Sequence, residues 1–171
     1  MRVEEVGTVR DLMEWLELHC VDPTDPLATG PAGGVGRRAG SDGTPLVDEY
    51  ADLEYGTLRD MAPATARAFL LDVADLVHRF PKLFGAVMAL WLPVWQARKI
   101  VSGCRELTRQ AALLVDAEMA DAAPGLPWSR ILTRLGASIQ QADPDLAEKK
   151  HRPPSSPATS PCAGPRTAST P

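Results

Sequence analysis

The sequence predicts an all-α fold, a compact bundle of about five to six short helices with a disordered linker and a disordered C-terminal tail. Three observations lead to this prediction. Apolar residues recur with the helical period along most of the chain, and no segment shows the alternation that is typical of a strand. Several prolines stand where they suit the first turn of a helix. Glycine and proline are concentrated in two stretches that separate or follow the helical segments.

Composition divides the chain into four segments. They are an N-terminal amphipathic helix, a Gly/Pro-rich linker, a helical domain and a disordered tail rich in proline, serine and threonine. Their ranges are 1–21, 22–45, 46–150 and 151–171. In the first segment Thr8 is the expected N-cap of the apolar stripe that runs from Val9 to Cys20. The linker is expected to be too flexible to pack.

The helical domain contains several clear helices, with its core expected over 46–142. A short helix is predicted over 47–58, and the next one carries a continuous apolar stripe from Ala66 to Phe80. Three prolines open further helices, and a threonine caps the helix between the last two prolines. These residues are Pro81, Pro93, Thr108 and Pro127. The apolar faces of the last two helices are predicted to be Ala111, Leu114, Val115 and Met119, and then Trp128, Ile131, Leu132, Leu135 and Ile139.

Composition also excludes several classes of function. Cys20, Cys104 and Cys162 are odd in number and lack metal-binding spacing, which predicts no disulfide framework, no zinc ribbon and a reducing, cytoplasmic location. No window approaches the roughly 18–20 apolar residues that a membrane span needs. The net charge of −4 combines −8 over 1–60 with +2 over 61–150 and +2 in the tail, so a nucleic-acid footprint has to be local.

No residue stands out as catalytic, cofactor-binding or metal-ligating, and no small-molecule substrate is evident. The three histidines are isolated, whereas metal sites need clustered ligands. We interpret His78 as a cation that suits a helix C-terminus and covers the core edge, in preference to a ligand or base. Cys104 is expected to be a half-buried free thiol in preference to a nucleophile. We therefore expect a protein that is not an enzyme and has no cofactor.

One local basic cluster remains as a possible nucleic-acid contact. Its members are Arg79, Lys82, Arg98, Lys99, Arg105 and Arg109. At 100° per residue Arg98, Arg105 and Arg109 lie nearest one another, and Trp91 and Trp95 add aromatic surface to this edge. The alternative, which the sequence favours, is that solvated arginines flank buried tryptophans or pair with the acidic first sixty residues.

A helix-turn-helix arrangement is a second candidate for DNA binding. The helices expected over 48–58 and 64–79 have the right spacing. Asp72 and Asp75 are expected to face solvent on the second helix, where they would repel phosphate. Direct reading of the major groove is therefore not predicted.

Three stretches resemble the actinobacterial 13E12 repeat family, in the N-terminal region called domain of unknown function 222. They are PLVDEYADLEYG, the long segment from His78 to Met119, and ADPDLAEKK. The most characteristic part is His-Arg-x-Pro followed by Trp-x-Ala-Arg, at 78–81 and 95–98. The resemblance covers about 46–150.

The resemblance implies a longer protein with a nuclease part. Many members carry an HNH endonuclease domain near the C-terminus, which needs two histidines and an asparagine around a divalent metal. This sequence contains no asparagine. With the resemblance, this absence predicts that the chain is truncated before the nuclease. The tail is then either a natural disordered extension or the product of a shifted reading frame after Lys150.

Two functional hypotheses follow from these observations. The first is a non-catalytic helical module of the kind that accompanies an HNH nuclease. The second is a DNA-binding or protein-interaction role for the basic region 79–109. A weaker third option is self-association through the apolar stripe of the first helix, provided that the linker keeps this stripe undocked.

Overall fold

Seven helices and one two-stranded antiparallel sheet make up the computed structural model, which describes residues 2–22 and 36–144. The mostly helical fold predicted from the sequence is confirmed. The elements are α1 Arg2–Leu18, β1 Gly36–Arg38, β2 Leu46–Asp48, α2 Ala51–Leu58, α3 Pro63–Arg79, α4 Pro81–Met88, α5 Val94–Gly103, α6 Arg109–Ala122 and α7 Trp128–Ala142. The predicted tail, His151, Cys162 and most of the predicted linker lie outside the described residues.

Helix α3 is the centre of the fold, since it contacts α1, α2, α4, α5 and α6. Its apolar stripe is buried as the sequence predicted, with Leu70, Val73 and Leu76 inaccessible to solvent. Asp72 and Asp75 are also buried. The expectation that these two carboxylates face solvent is therefore wrong, because Asp72 pairs with Arg98 and Arg105 and Asp75 pairs with Arg79.

Helix α1 is docked on this core, and its apolar stripe is not available for self-association. Val9, Leu12 and Leu16 are buried in the same cluster as the residues of α3. The prediction that Thr8 is an N-cap is wrong, because the helix begins at Arg2. Thr8 lies inside the helix, where its Oγ1 donates a hydrogen bond to the carbonyl of Glu4 at 3.0 Å.

Residues 36–48 form a hairpin. The prediction of an unpacked linker over 22–45 is therefore wrong for residues 36–45. The register pairs Gly36 with Asp48 and Arg38 with Leu46. The chain that leaves α1 adds to the other side of β2, since the amide of Val21 donates to the carbonyl of Leu46 at 2.9 Å. The sheet therefore ties the end of α1 to the start of the helical domain, and α2 begins at Ala51 and not at 47.

The tip of this hairpin is fastened to α3 and α6. The carboxylate of Asp75 accepts hydrogen bonds from the amide of Ser41 at 2.7 Å and from its hydroxyl at 2.8 Å. A Cβ added at Gly40 would lie 2.6 Å from an oxygen of Asp75, so only glycine allows this approach. Gly43 has a φ of +87°, and a Cβ added there would lie 2.5 Å from Cδ of Arg109.

Proline and threonine mark the helix starts as predicted. Pro81 is the first residue of α4, and Pro93 and Pro127 are the N-caps of α5 and α7. The Oγ1 of Thr108 accepts a hydrogen bond from the amide of Ala111 at 3.3 Å. Three residues assigned to apolar faces by periodicity are exposed instead: Cys20 after α1, Leu114 on α6 by 65% and Leu132 on α7 by 47%.

A buried carboxylate from α6 caps the N-terminus of α4. Oδ2 and Oδ1 of Asp116 accept hydrogen bonds from the amides of Lys82 at 3.0 Å and Leu83 at 2.8 Å. The helix has no side-chain cap of its own. Burial raises the pKa of Asp116, while the two amide hydrogen bonds oppose this rise.

Removing this cap should destabilise the protein. We expect Asp116→Ala to lower the free energy of unfolding by about 2–3 kcal/mol, because two buried amides lose their acceptor and the helix loses its cap. Asp116→Asn keeps one acceptor oxygen and should cost about half as much. Urea unfolding followed by circular dichroism measures both variants. Equal stability of the alanine and asparagine variants would contradict the capping role.

The C-terminus of α4 ends in a left-handed turn at a residue that is not glycine. Leu90 has a φ of 63°. The amide of Trp91 donates to the carbonyl of Ala86 at 2.9 Å, and that of Leu90 donates to Val87 at 3.0 Å, which is the Schellman arrangement. Glycine normally occupies this position because a Cβ is strained there.

This strain should reverse the usual order of glycine and alanine. We expect Leu90→Gly to be more stable than Leu90→Ala by about 1 kcal/mol, because both lose the same side-chain contacts but only alanine keeps the strained Cβ. Thermal and urea unfolding of the two variants give the difference. The matched control is Ala89, which precedes the turn and has a negative φ. Its glycine variant should be the less stable one, as in ordinary backbone.

Candidate nucleic-acid interface

Three of the six predicted basic residues line one cleft between α3 and α5. They are Arg98, Lys99 and Arg105. The other residues that line the cleft are Ala68, Asp72, Trp95 and Ser102. The cleft has a volume of about 380 Å³. With three cations and one carboxylate, its lining carries a formal charge of +2, in contrast to the acidic chain as a whole.

Asp72 fixes two of these cations from the floor of the cleft. Its Oδ2 accepts a hydrogen bond from Nε of Arg98 at 2.9 Å, and its Oδ1 accepts one from Nη2 of Arg105. The guanidinium of Arg98 also lies 4.5 Å from the ring centroid of Phe69. About one third of each arginine side chain remains exposed. The two guanidinium groups are therefore held in place with an open edge.

The helical repeat of α5 supplies the rest of this surface. Trp95, Arg98, Lys99 and Ser102 are spaced at i, i+3, i+4 and i+7, which places them on one helix face. Arg105 follows the end of the helix at Gly103. The 100° projection that grouped Arg109 with Arg98 and Arg105 is therefore wrong, because no single helix runs through these three positions.

Arg109 and Lys82 are exposed but do not line the cleft. The backbone amide of Arg109 donates to Asp42 at 3.1 Å, at the start of α6 beside the hairpin tip. Lys82 stands in the first turn of α4. The five cluster members at the surface are thus divided among three places, and of these only the group around Asp72 lines the cleft.

Arg79 does not belong to the surface at all. Its side chain is completely buried, with Nη1 3.5 Å from Oδ1 of Asp75. Nη2 donates to the carbonyls of Cys104 and Leu107 in the turn between α5 and α6. The prediction that Arg79 contacts nucleic acid is wrong, because all three of these partners lie inside the protein.

The alternative interpretation of the basic cluster is also wrong in two respects. Trp91 and Trp95 are not buried, since 71% and 48% of their surface is exposed. Arg98 and Arg105 pair with Asp72 of α3 and not with the acidic first sixty residues. The two arginines of the cleft therefore have their counterion within the helical domain, and the aromatic side chain of the cleft is half exposed.

Helices α2 and α3 pack on each other, and α1, α4, α5 and α6 also contact α3. The middle of α3 is buried, while its first turn at 63–65 is exposed. Asp72 and Asp75 are buried, so repulsion of phosphate by exposed carboxylates does not argue against DNA reading by this helix. That the pair does not read the major groove stays a prediction.

The surroundings of Cys104 and His78 differ from those predicted. Cys104 is completely buried and not half-buried. Burial lowers the pKa of His78, and the nearby charge of Arg109 lowers it further, so the neutral imidazole is favoured over the expected cation. Within 2–22 and 36–144, no group of three or more His, Cys, Asp or Glu side chains is placed to hold a metal ion.

Comparison with known proteins gives no assignment. No family model, no curated protein and no solved structure matches the chain. Across the part of the chain that the structure describes, none of the helices combines the length and the apolar character that crossing a bilayer requires.

The buried position of Arg79 predicts that its substitution affects stability far more than substitution of a lysine that lines the cleft. We expect Arg79→Met to lower the free energy of unfolding by about 3–5 kcal/mol, because the carboxylate of Asp75 stays buried without its counterion. Lys99→Met, an exposed change, should alter it by less than about 0.5 kcal/mol. Urea unfolding measures both. A mild effect of Arg79→Met would mean that Asp75 is satisfied by the hairpin tip alone.

Proposed function

We propose that this protein is a non-catalytic helical module that binds nucleic-acid phosphate through the cleft of Arg98, Lys99 and Arg105. The observation that carries the proposal is the convergence of three cations around one carboxylate, beside an exposed tryptophan, on a chain whose net charge is −4. Phosphate binding needs a local basic footprint, and guanidinium groups held in place offer directed donors.

The arrangement of the hydrogen-bond donors in the cleft favours phosphate over other anions as the ligand. Asp72 occupies one edge of each guanidinium, which leaves the outer N–H groups for a ligand. Lys99, on the same helix face, adds a mobile point charge. The hydroxyl of Ser102 completes the polar lining. Phosphate contacts from Arg, Lys and Ser position a protein on nucleic acid without reading its sequence.

Kinship with the 13E12 repeat family remains part of this proposal. The two most characteristic motifs of the resemblance, at 78–81 and 95–98, have defined places in the fold. In the first, Arg79 forms the buried ion pair and Pro81 opens α4. In the second, Trp95 and Arg98 line the cleft. This division supports one segment as a folding element and the other as part of a binding surface. We propose a cytoplasmic protein without catalysis of its own.

Lys99 and Lys82 provide a matched pair for testing the cleft. Both are exposed lysines, but only Lys99 lines the cleft. We expect Lys99→Gln to weaken binding to a fluorescein-labelled oligonucleotide about 3- to 10-fold and to reduce the salt slope of log K by about 0.7–0.9, which corresponds to one phosphate contact. Lys82→Gln should leave both quantities near those of the wild type. Fluorescence anisotropy over a salt series measures them.

Two outcomes would contradict the proposal. One is the absence of binding to any oligonucleotide at low ionic strength, since a phosphate contact is strongest there. The other is an equal loss with the two glutamine variants, because it would show a diffuse charge effect and not a defined cleft.

A further inference from the structure

Trp95 stands beside the basic cleft with half of its surface in water. A tryptophan side chain gains more from burial than almost any other residue, and Trp95 forgoes about half of that gain beside the three cations of the cleft. The ring is held from one side by Trp128, whose ring centroid lies 5.1 Å away at an interplanar angle of 61°. Its orientation is therefore set before any ligand arrives.

The aromatic ring and the cations share one short stretch of α5. Trp95 precedes Arg98 by three residues and Lys99 by four, which places the ring next to both charges on the same helix face. With about 380 Å³, the cleft lies at the lower end of the range of small-ligand pockets. A site of this size suits one base and its phosphate, with the base on the ring and the phosphate on the cations.

We propose that the cleft selects single-stranded over double-stranded nucleic acid, with an unpaired base stacked on Trp95 and the adjacent phosphate held by Arg98, Lys99 and Arg105. This inference rests on the proposed function. Base stacking on aromatic side chains is available only where the base faces are free, and a duplex keeps those faces covered.

The experiment compares two ligands and three tryptophan variants of the full chain. The ligands are a labelled oligo-dT of about 12 nucleotides and a duplex of the same length, which present free and covered base faces. We expect the wild type to bind the single strand at least about tenfold more tightly. Trp95→Leu should lose about 5- to 150-fold in affinity for the single strand, as loss of one stacked base does. Its affinity for the duplex should not change.

Two further variants control for folding and for nonspecific aromatic contact. Trp95→Phe keeps an aromatic face and should restore most of the single-strand affinity. A merely structural role of Trp95 in packing on Trp128 would instead make Trp95→Leu weaken single-strand and duplex binding alike. Trp91→Leu removes a more exposed tryptophan that does not line the cleft, and it should leave binding unchanged. Thermal unfolding of each variant confirms that it is folded under the binding conditions.

The possible results separate this inference from the proposed function. If single strand and duplex bind equally and Trp95→Leu changes neither, the selection of single strands is overturned while the phosphate-binding cleft stands. If neither ligand binds at low ionic strength, both proposals fail. Single-strand preference that depends on Trp95 and is restored by phenylalanine establishes the inference.

Discussion

The buried ion pair of Asp75 and Arg79, one turn apart on α3, is the interaction on which most of the structure depends. Moving two charges out of water is costly unless other groups supply hydrogen bonds. Here Asp75 accepts from the amide and the hydroxyl of Ser41, and Arg79 donates to the carbonyls of Cys104 and Leu107. The pair therefore joins the hairpin tip, the central helix and the turn between α5 and α6.

The same helix sets the geometry of the basic cleft. Asp72 lies three residues before Asp75, and its two oxygens hold Arg98 near the middle of α5 and Arg105 beyond its end. A further buried carboxylate, Asp116, fixes the start of α4 from α6. These three acids each connect segments that are distant in sequence. The positions of Arg98 and Arg105 in the cleft are thus set by contacts that also stabilise the fold.

Local signals in the sequence were sufficient for the helices but not for their polar contacts. The stripe from Ala66 to Phe80, the three prolines and the Thr108 cap act within one or two turns, so residue spacing reveals them. The periodicity argument assumes that every charged side chain faces solvent, so it predicted that Asp72 and Asp75 are exposed. The spacing of Asp75 and Arg79, one helical turn apart, was the only sequence signal for a buried ion pair between them. Which carboxylate meets which arginine depends on tertiary contacts that spacing does not encode.

Two other failures have a similar physical origin. The strands of the hairpin are three residues long, too short to show alternation, and the only local signal was the Ser-Asp-Gly turn at 41–43. The angular comparison of Arg98 with Arg109 assumed one continuous helix, whereas the chain leaves α5 at Gly103 and begins α6 at Arg109. Predicting which residues line the cleft would have required knowing where α5 ends and α6 begins, because this position decides which cations lie close together.

The residues of the cleft differ in what they contribute to the folded state, and this difference indicates which of them serve a ligand. Arg98 and Arg105 satisfy Asp72, so their presence is explained by folding even if nothing binds. Lys99 and the outer half of Trp95 make no comparable contribution, because both lie open to solvent. An exposed tryptophan gives up burial that the fold would otherwise gain. Its position beside a lysine on the same helix face is therefore better explained by a ligand with both an aromatic face and a negative charge than by stability.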